Sequence, residues 1–205
     1  MDEAPPKIAR SRRSPAERQA EIVARAAAMV LEQGVLPLPL DRLAHDVGVS
    51  KGLIYNYFPT QHDLLNAVLE AEFEGLRARG IEAAAGSGPL LAVARACARL
   101  YFDHVAERGP VIHLVLRDHF MAGQLSPQAA RFRDRIVRGL AKAARRDLLL
   151  PAKENIAAIN LVITIPEEAG RLAYRGDIAL DRARELCDEL VVGSVQALSP
   201  RKAPA

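Results

Sequence analysis

A chain of 205 residues, half of them apolar and 26% charged, suits one packed domain of moderate size or a small domain joined to a larger one, and its composition favours a packed soluble protein over a disordered one. Its formal net charge of +3 is too mild to establish an anionic partner, and residues 1–66 balance eight Lys/Arg against eight Asp/Glu, so any case for nucleic acid rests on where the charges sit. No uninterrupted apolar run reaches the ~18 residues of a membrane span, the start "MDEAPPKIARSRRSP" is charged where a secretory leader is apolar, and Cys97 and Cys187 lie far apart without metal-like spacing. Together these lead us to expect a cytoplasmic protein with reduced thiols.

In chain order, "KIARSRR" at 7–13 holds four basic residues and no acidic one. Such an arm, with Arg12 and Arg13, suits phosphates or a minor groove, and equally suits a solubilising tail. Ser14-Pro15 with Glu17 predicts a capped first helix, its inward stripe Ile22, Ala26, Met29 and Val30, stopped at Gly34. Pro37 and Pro39 hold the next stretch extended. A short helix over Leu40–Val47 ends at Gly48. Ser50 caps a third, closed by Phe58 before Pro59, and Thr60 with Asp63 opens a fourth that runs on to "GSGP". Helices near 89–108, 109–121, 126–147, 152–175 and 180–198 follow, without strand alternation. The expectation is all-α with about nine helices: a basic arm at 1–13, a three-helix unit at 14–60, a larger bundle at 61–198 and a tail at 199–205.

Three of the nine aromatics, Tyr55, Tyr57 and Phe58, fall within four positions behind Gly-Val-Ser-Lys-Gly. Two short helices joined by a glycine-containing turn fit a helix-turn-helix, with Leu43, Val47, Val49 and Ile54 as a miniature core that Phe58 closes. Tyr55, Tyr57, Lys51 and Asn56 then offer donors to phosphates and base edges; the competing reading has both tyrosines covering the first helix.

The stretch "LDRLAHDVGVSKGLIYNYFPTQHDLLNAVLE" resembles the DNA-binding signature of the TetR family of transcriptional regulators. The matches are Leu43-Ala44, Gly48-Val49-Ser50, Lys51-Gly52, Tyr55, Tyr57-Phe58 and Leu64-Leu65. The resemblance implies DNA contacts from Ser50, Lys51, Gly52, Leu53, Tyr55, Asn56, Tyr57 and Gln61. Three positions depart from the family pattern: Pro39 and Leu53 stand where threonine is usual, and Gln61 stands for a lysine. These departures suggest weaker or less salt-sensitive binding. The larger domain agrees with the family in length and helix count.

The resemblance also implies a homodimer built on the last two helices. The breadth of the apolar faces in "NIAAINLVITIP" and "LCDELVVGSVQAL" supports this independently. Ile159, Val162, Ile163, Leu186, Leu190, Val191 and Ser194 are the candidate interface residues. An intrachain core is the competing reading. The family's inducer pocket would draw on Phe73, Leu76, Tyr101, Phe102, Ile112, Leu116, Phe120, Phe132, Ile136 and Tyr174, most of which would be core in any helical protein. Glu167 and Glu168 follow an apolar run. Either suits a cationic ligand, and a surface pair of Glu167 with Arg171 explains the pattern as well. Arg131, Arg135, Arg138, Lys142 and Arg145 form a basic stripe that reads as a solvated face or an anion site. His104, His113 and His119 lack i,i+4 spacing, and neither a metal nor a cofactor is expected.

The leading reading is a ligand-responsive DNA-binding regulator, a repressor released from a palindromic operator by a small-molecule inducer. A constitutive DNA binder shares the same N-terminal motif. An enzyme on a helical bundle is disfavoured, because no Glu-x-x-His pair, nucleophile elbow or phosphate loop is present.

Overall fold

Helix starts are fixed by short-range chemistry. Ser14 N–H donates to Glu17 Oε2 (2.7 Å) and Glu17 N–H donates back to Ser14 Oγ (3.2 Å), so a reciprocal cap opens α1 (Pro15–Gln33). Thr60 and Asp63 repeat the device at α4 (Gln61–Ala78), and Ser50 caps α3 (Lys51–Tyr57) by accepting from Leu53 N–H at 3.1 Å. Between them, α2 (Leu40–Val47) closes on Gly48, whose φ of 67° lies in the left-handed region that glycine tolerates best. The computed structural model describes residues 14–86, 88–148 and 150–199. The arm carrying Arg12 and Arg13 and the end of the tail lie outside the described residues.

Two predicted helices are divided in the structure. The fourth stops at Ala78, and a separate α5 (Ile81–Gly86) follows Gly80, whose φ of 88° breaks the run. The helix expected over 109–121 is α7 (Val111–Arg117) followed by a 3₁₀ turn at His119–Met121. Asp118 separates them in extended geometry. Its carboxylate accepts from Phe120 N–H (2.8 Å) and from Leu36 N–H (3.1 Å), so it caps the turn and ties it to the α1–α2 connection. The remaining elements are α6 (Leu90–Arg108), α8 (Pro127–Asp147), α9 (Ala152–Tyr174) and α10 (Leu180–Leu198). The described residues are all-helical apart from connections, and no single helix among them is long and apolar enough to cross a membrane.

One hydrophobic core runs from Ile22, Met29 and Leu43 through Leu65 and Leu69 to Phe102, Phe132 and Val191. Helix α4 packs on α1 and also on α5, α6, α7 and α8. This one helix therefore belongs to both predicted units. In the bundle α6 lies along α9 and α10, and α8 closes the side toward α5. Cys97 and Cys187 are buried free thiols, each pushed up to about 11 by burial.

Candidate DNA-reading helix and ligand cavity

Around α3 the apolar residues turn inward as their spacing requires: Leu43, Val47, Ile54 and Phe58 are buried. Ser50, Lys51, Gly52, Tyr55 and Asn56 form the exposed side, with Tyr55 42% exposed, while Leu53 is half-buried. Tyr57 differs from Tyr55. It is half-buried against the core, with its ring 6.4 Å from that of Phe58. Gln61 is turned inward as well: its side-chain oxygen accepts from Leu38 N–H at 3.0 Å, clamping α4 to the stretch before α2.

The charges of this region are largely spent inside it. Arg25 on α1 donates to Asp46 (2.7 and 2.9 Å) and Glu32 (2.6 Å), and Arg42 adds a second contact to Glu32 (2.8 Å). Hydrogen bonds from Arg25 are the first cause holding both carboxyls below the usual range. Lys51 Nζ donates to Asp41 Oδ2 at 2.9 Å, which raises the lysine pKa. Arg18 lies 3.4 Å from Glu21. Every Lys and Arg between residues 14 and 66 thus has a carboxylate neighbour.

The second site lies in the bundle. A cavity of about 270 Å³ opens among α4, α6, α7, α8, α9 and α10. Of the predicted pocket residues, Phe73, Leu76, Tyr101, Ile112, Leu116, Phe132 and Ile136 line it. Phe73 and Phe132 stack with ring centroids 4.7 Å apart. Three predicted residues are elsewhere. Phe102 is fully buried in the core facing α10, Phe120 stacks on His62 (4.3 Å between centroids), and Tyr174 is 44% exposed at the end of α9.

Glu167 also lines the cavity, and the surface pairing with Arg171 falls instead to Glu168, three residues before that arginine (2.6 and 2.7 Å). Tyr101 Oη donates to Glu167 Oε2 at 3.1 Å, and His113 Nδ1 contacts the other carboxylate oxygen. Burial, then the negative charge of Glu167, pushes the Tyr101 phenol well above its ordinary value, so it remains a neutral donor. The residue before Glu167 is Pro166, inside α9, which has no N–H to give the Val162 carbonyl one turn back.

The predicted interface residues divide. Ile159, Val162 and Ile163 line the cavity, and Val191 is fully buried in the chain's own core. Leu186 and Ser194 are half-buried, and Leu190 is 55% exposed. The other strongly exposed apolar residues of α9 and α10 are Ile156, Leu161, Tyr174 and Leu180, a set that spacing alone did not single out. Arg131, Arg135, Arg138, Lys142 and Arg145 all face solvent, with Arg135 paired to Glu82 at 2.6 Å. His104 is buried against Glu72 (2.9 Å), His113 is half-buried against Glu167, and His119 is exposed. Among the described residues no group of three or more His, Cys, Asp or Glu could hold a metal ion.

Residues 22–68 match the family model of bacterial regulatory proteins, tetR family. This segment is a TetR-family DNA-binding domain. It contains α2, α3 and the whole connection that seats them on α1. No curated protein matches the chain. Solved structures agree in fold over nearly the full length. A TetR-like transcriptional regulator from Rhodococcus sp. RHA1 is 18% identical, covers 90% of this chain and 99% of its own, and has a TM-score of 0.65. The transcriptional regulator FadR from Bacillus subtilis, solved with stearoyl-CoA, is 17% identical over 85% of this chain and 98% of its own (TM-score 0.64). LfrR from Mycobacterium smegmatis, solved with proflavine, is 18% identical over 86% and 96% (TM-score 0.59). The TetR-family fold therefore extends beyond the matched domain into the bundle.

Proposed function

We propose that this protein is a cytoplasmic, homodimeric transcriptional repressor, released from a palindromic operator when a small molecule enters the bundle cavity. The observation that carries the reading is the span of α4. At its start Gln61 accepts from Leu38 N–H beside the helix-turn-helix, and about three to four turns later Phe73 and Leu76 line the cavity. Whatever displaces those two side chains bears on the helix that seats α2 and α3. Bound ligands in FadR and LfrR, which share the fold, support a ligand role for the cavity.

In this reading Lys51, Tyr55 and Asn56, on the exposed side of α3, meet the major groove. Asn56 suits bidentate pairing to adenine, and Lys51 suits a phosphate or guanine. Two copies of α3 spaced by roughly 34 Å would read half-sites one helical turn apart. Release requires the inducer to bind the shifted arrangement more tightly. A coupling of about 1–3 kcal/mol would weaken operator binding some 5- to 150-fold. The exposed apolar residues of α9 and α10 supply the dimer face, so the interface uses Ile156, Leu161 and Leu190 rather than the inward-facing Ile159, Val162, Ile163 and Val191.

Selection of bound duplexes from a random pool tests the reading, with Lys51→Ala and Tyr55→Ala as controls. A two-fold symmetric enriched sequence, bound at least tenfold more weakly by each variant at matched salt, is expected. No enrichment, or undiminished affinity in both variants, overturns it.

A further inference from the structure

We propose that the cavity takes an amphipathic cation, an apolar and preferably aromatic body with a protonated nitrogen set against Glu167. This deepens the reading of the cavity as the inducer site and rests on it.

The cavity walls are mostly hydrocarbon, and the stacked pair Phe73 and Phe132 forms part of them. One carboxylate lines this apolar space, that of Glu167, and its side chain is 14% exposed. A carboxylate has about four acceptor positions. Tyr101 Oη occupies one, and His113 Nδ1 contacts the other oxygen, which leaves acceptor capacity for a ligand donor.

Two arginines, Arg117 and Arg133, also belong to the lining, but both are exposed, and Arg133 is engaged with Asp134 at 3.3 Å. The positive charge of Arg117 reaches Tyr101 but acts there less strongly than the negative charge of Glu167. An anion seated at the Tyr101 end would face the Glu167 charge in a low-dielectric space, where repulsion is strongest. A cation there gains what the anion loses.

Three probes with one apolar body decide it: 1-naphthylmethylammonium, 1-naphthylmethanol and 1-naphthoate, titrated into the full-length protein at pH 7. The chain has no tryptophan, so naphthyl emission is free of indole background. The ammonium probe should bind at least tenfold more tightly than the alcohol, and the carboxylate most weakly. Glu167→Gln, which preserves the acceptor for Tyr101 Oη, should abolish the ammonium preference while the alcohol binds as before. Equal binding of all three to the unmodified protein, or a preference for naphthoate, overturns the cation assignment and leaves the inducer reading standing. Binding by none overturns both. Should the ammonium bind as expected yet leave operator affinity unchanged, the cation assignment holds and the inducer role falls. The ranking of probes on the unmodified protein does not depend on the variant folding.

Discussion

The Glu72 carboxylate, buried on α4, accepts from Arg108 Nε at 2.8 Å and Nη2 at 2.7 Å, so the last turn of α6 is fastened to the middle of the helix that joins the two parts of the chain. His104 Nε2 lies 2.9 Å from the same carboxylate. Burial opposes the ionised form, but the hydrogen bonds from Arg108 and His104 outweigh it and hold the carboxyl at about 2, against an ordinary 4.5. The folded pKa is depressed, so the stabilisation is fully present above about pH 4.5 and is lost as pH falls toward 2. It amounts to something on the order of 3 kcal/mol. Unfolding measured across pH 2–6 should show this loss, and Glu72→Gln should remove that acid-dependent component while costing about 2–3 kcal/mol near pH 7. An unchanged acid profile in the variant would contradict the assignment.

Helices α5 and α8 meet at Gly139. A Cβ at that position would sit 2.2 Å from Ala85 O, a backbone atom with little room to retreat. Alanine ordinarily improves a helix interior by roughly 1 kcal/mol over glycine, but here the clash decides the sign. Gly139→Ala should lower stability by about 1–3 kcal/mol in denaturant titration. A gain in stability would mean that the two helices lie further apart.

What was legible in the sequence was local. Ser14, Ser50, Thr60 and Ser126 cap the helices expected of them, and Gly48 and Phe58-Pro59 end theirs, because these signals act within one helical turn. Facing directions on the later helices were not legible. Adjacent residues Glu167 and Glu168 differ by about 100° around α9, and which one meets the cavity depends on Tyr101 and His113, more than fifty residues away. The same holds for Ile159 and Val162, whose hydrophobicity suits a cavity wall as well as an interface, and for Gln61, whose inward turn is set by a free Leu38 N–H. The break at Gly80 was visible as a residue type, yet glycine alone does not end a helix.

Leu161 and Leu190 are 71% and 55% exposed on α9 and α10. On the dimer reading, Leu161→Glu and Leu190→Glu each place a charge in a desolvated face and should shift the protein from dimer to monomer at micromolar concentration, with helicity retained. Sedimentation of both variants as dimers would place the interface elsewhere.

Gln61→Lys exchanges one role for another. A lysine cannot accept from Leu38 N–H, so the clamp at 3.0 Å is lost, at a cost of about 1 kcal/mol in stability. If position 61 lies beside the phosphates, as the proposed reading has it, the added charge should steepen the dependence of log K on log salt by about 0.9, as one further phosphate contact would. A stability loss without any change in salt slope would show that position 61 lies away from the DNA.

Lys51 and Asp41 make the sharpest prediction for DNA. The lysine on α3 donates to a carboxylate on α2 that is 81% exposed, so in the free protein its charge is shared with a group that a phosphate would have to replace. Asp41→Asn removes a negative charge from the proposed DNA face and frees the ammonium without altering the apolar packing beneath. Affinity for DNA of any sequence should rise several-fold at low salt, and the difference should shrink as salt screens the exposed charges. Because the added attraction falls on the backbone, discrimination between operator and random duplex should stay constant or decrease. Adding Lys51→Ala to Asp41→Asn should remove most of the gain. If Asp41→Asn weakens binding, the carboxylate is positioning Lys51 for a base edge rather than competing with phosphate, and the orientation of α3 on the groove would have to be revised.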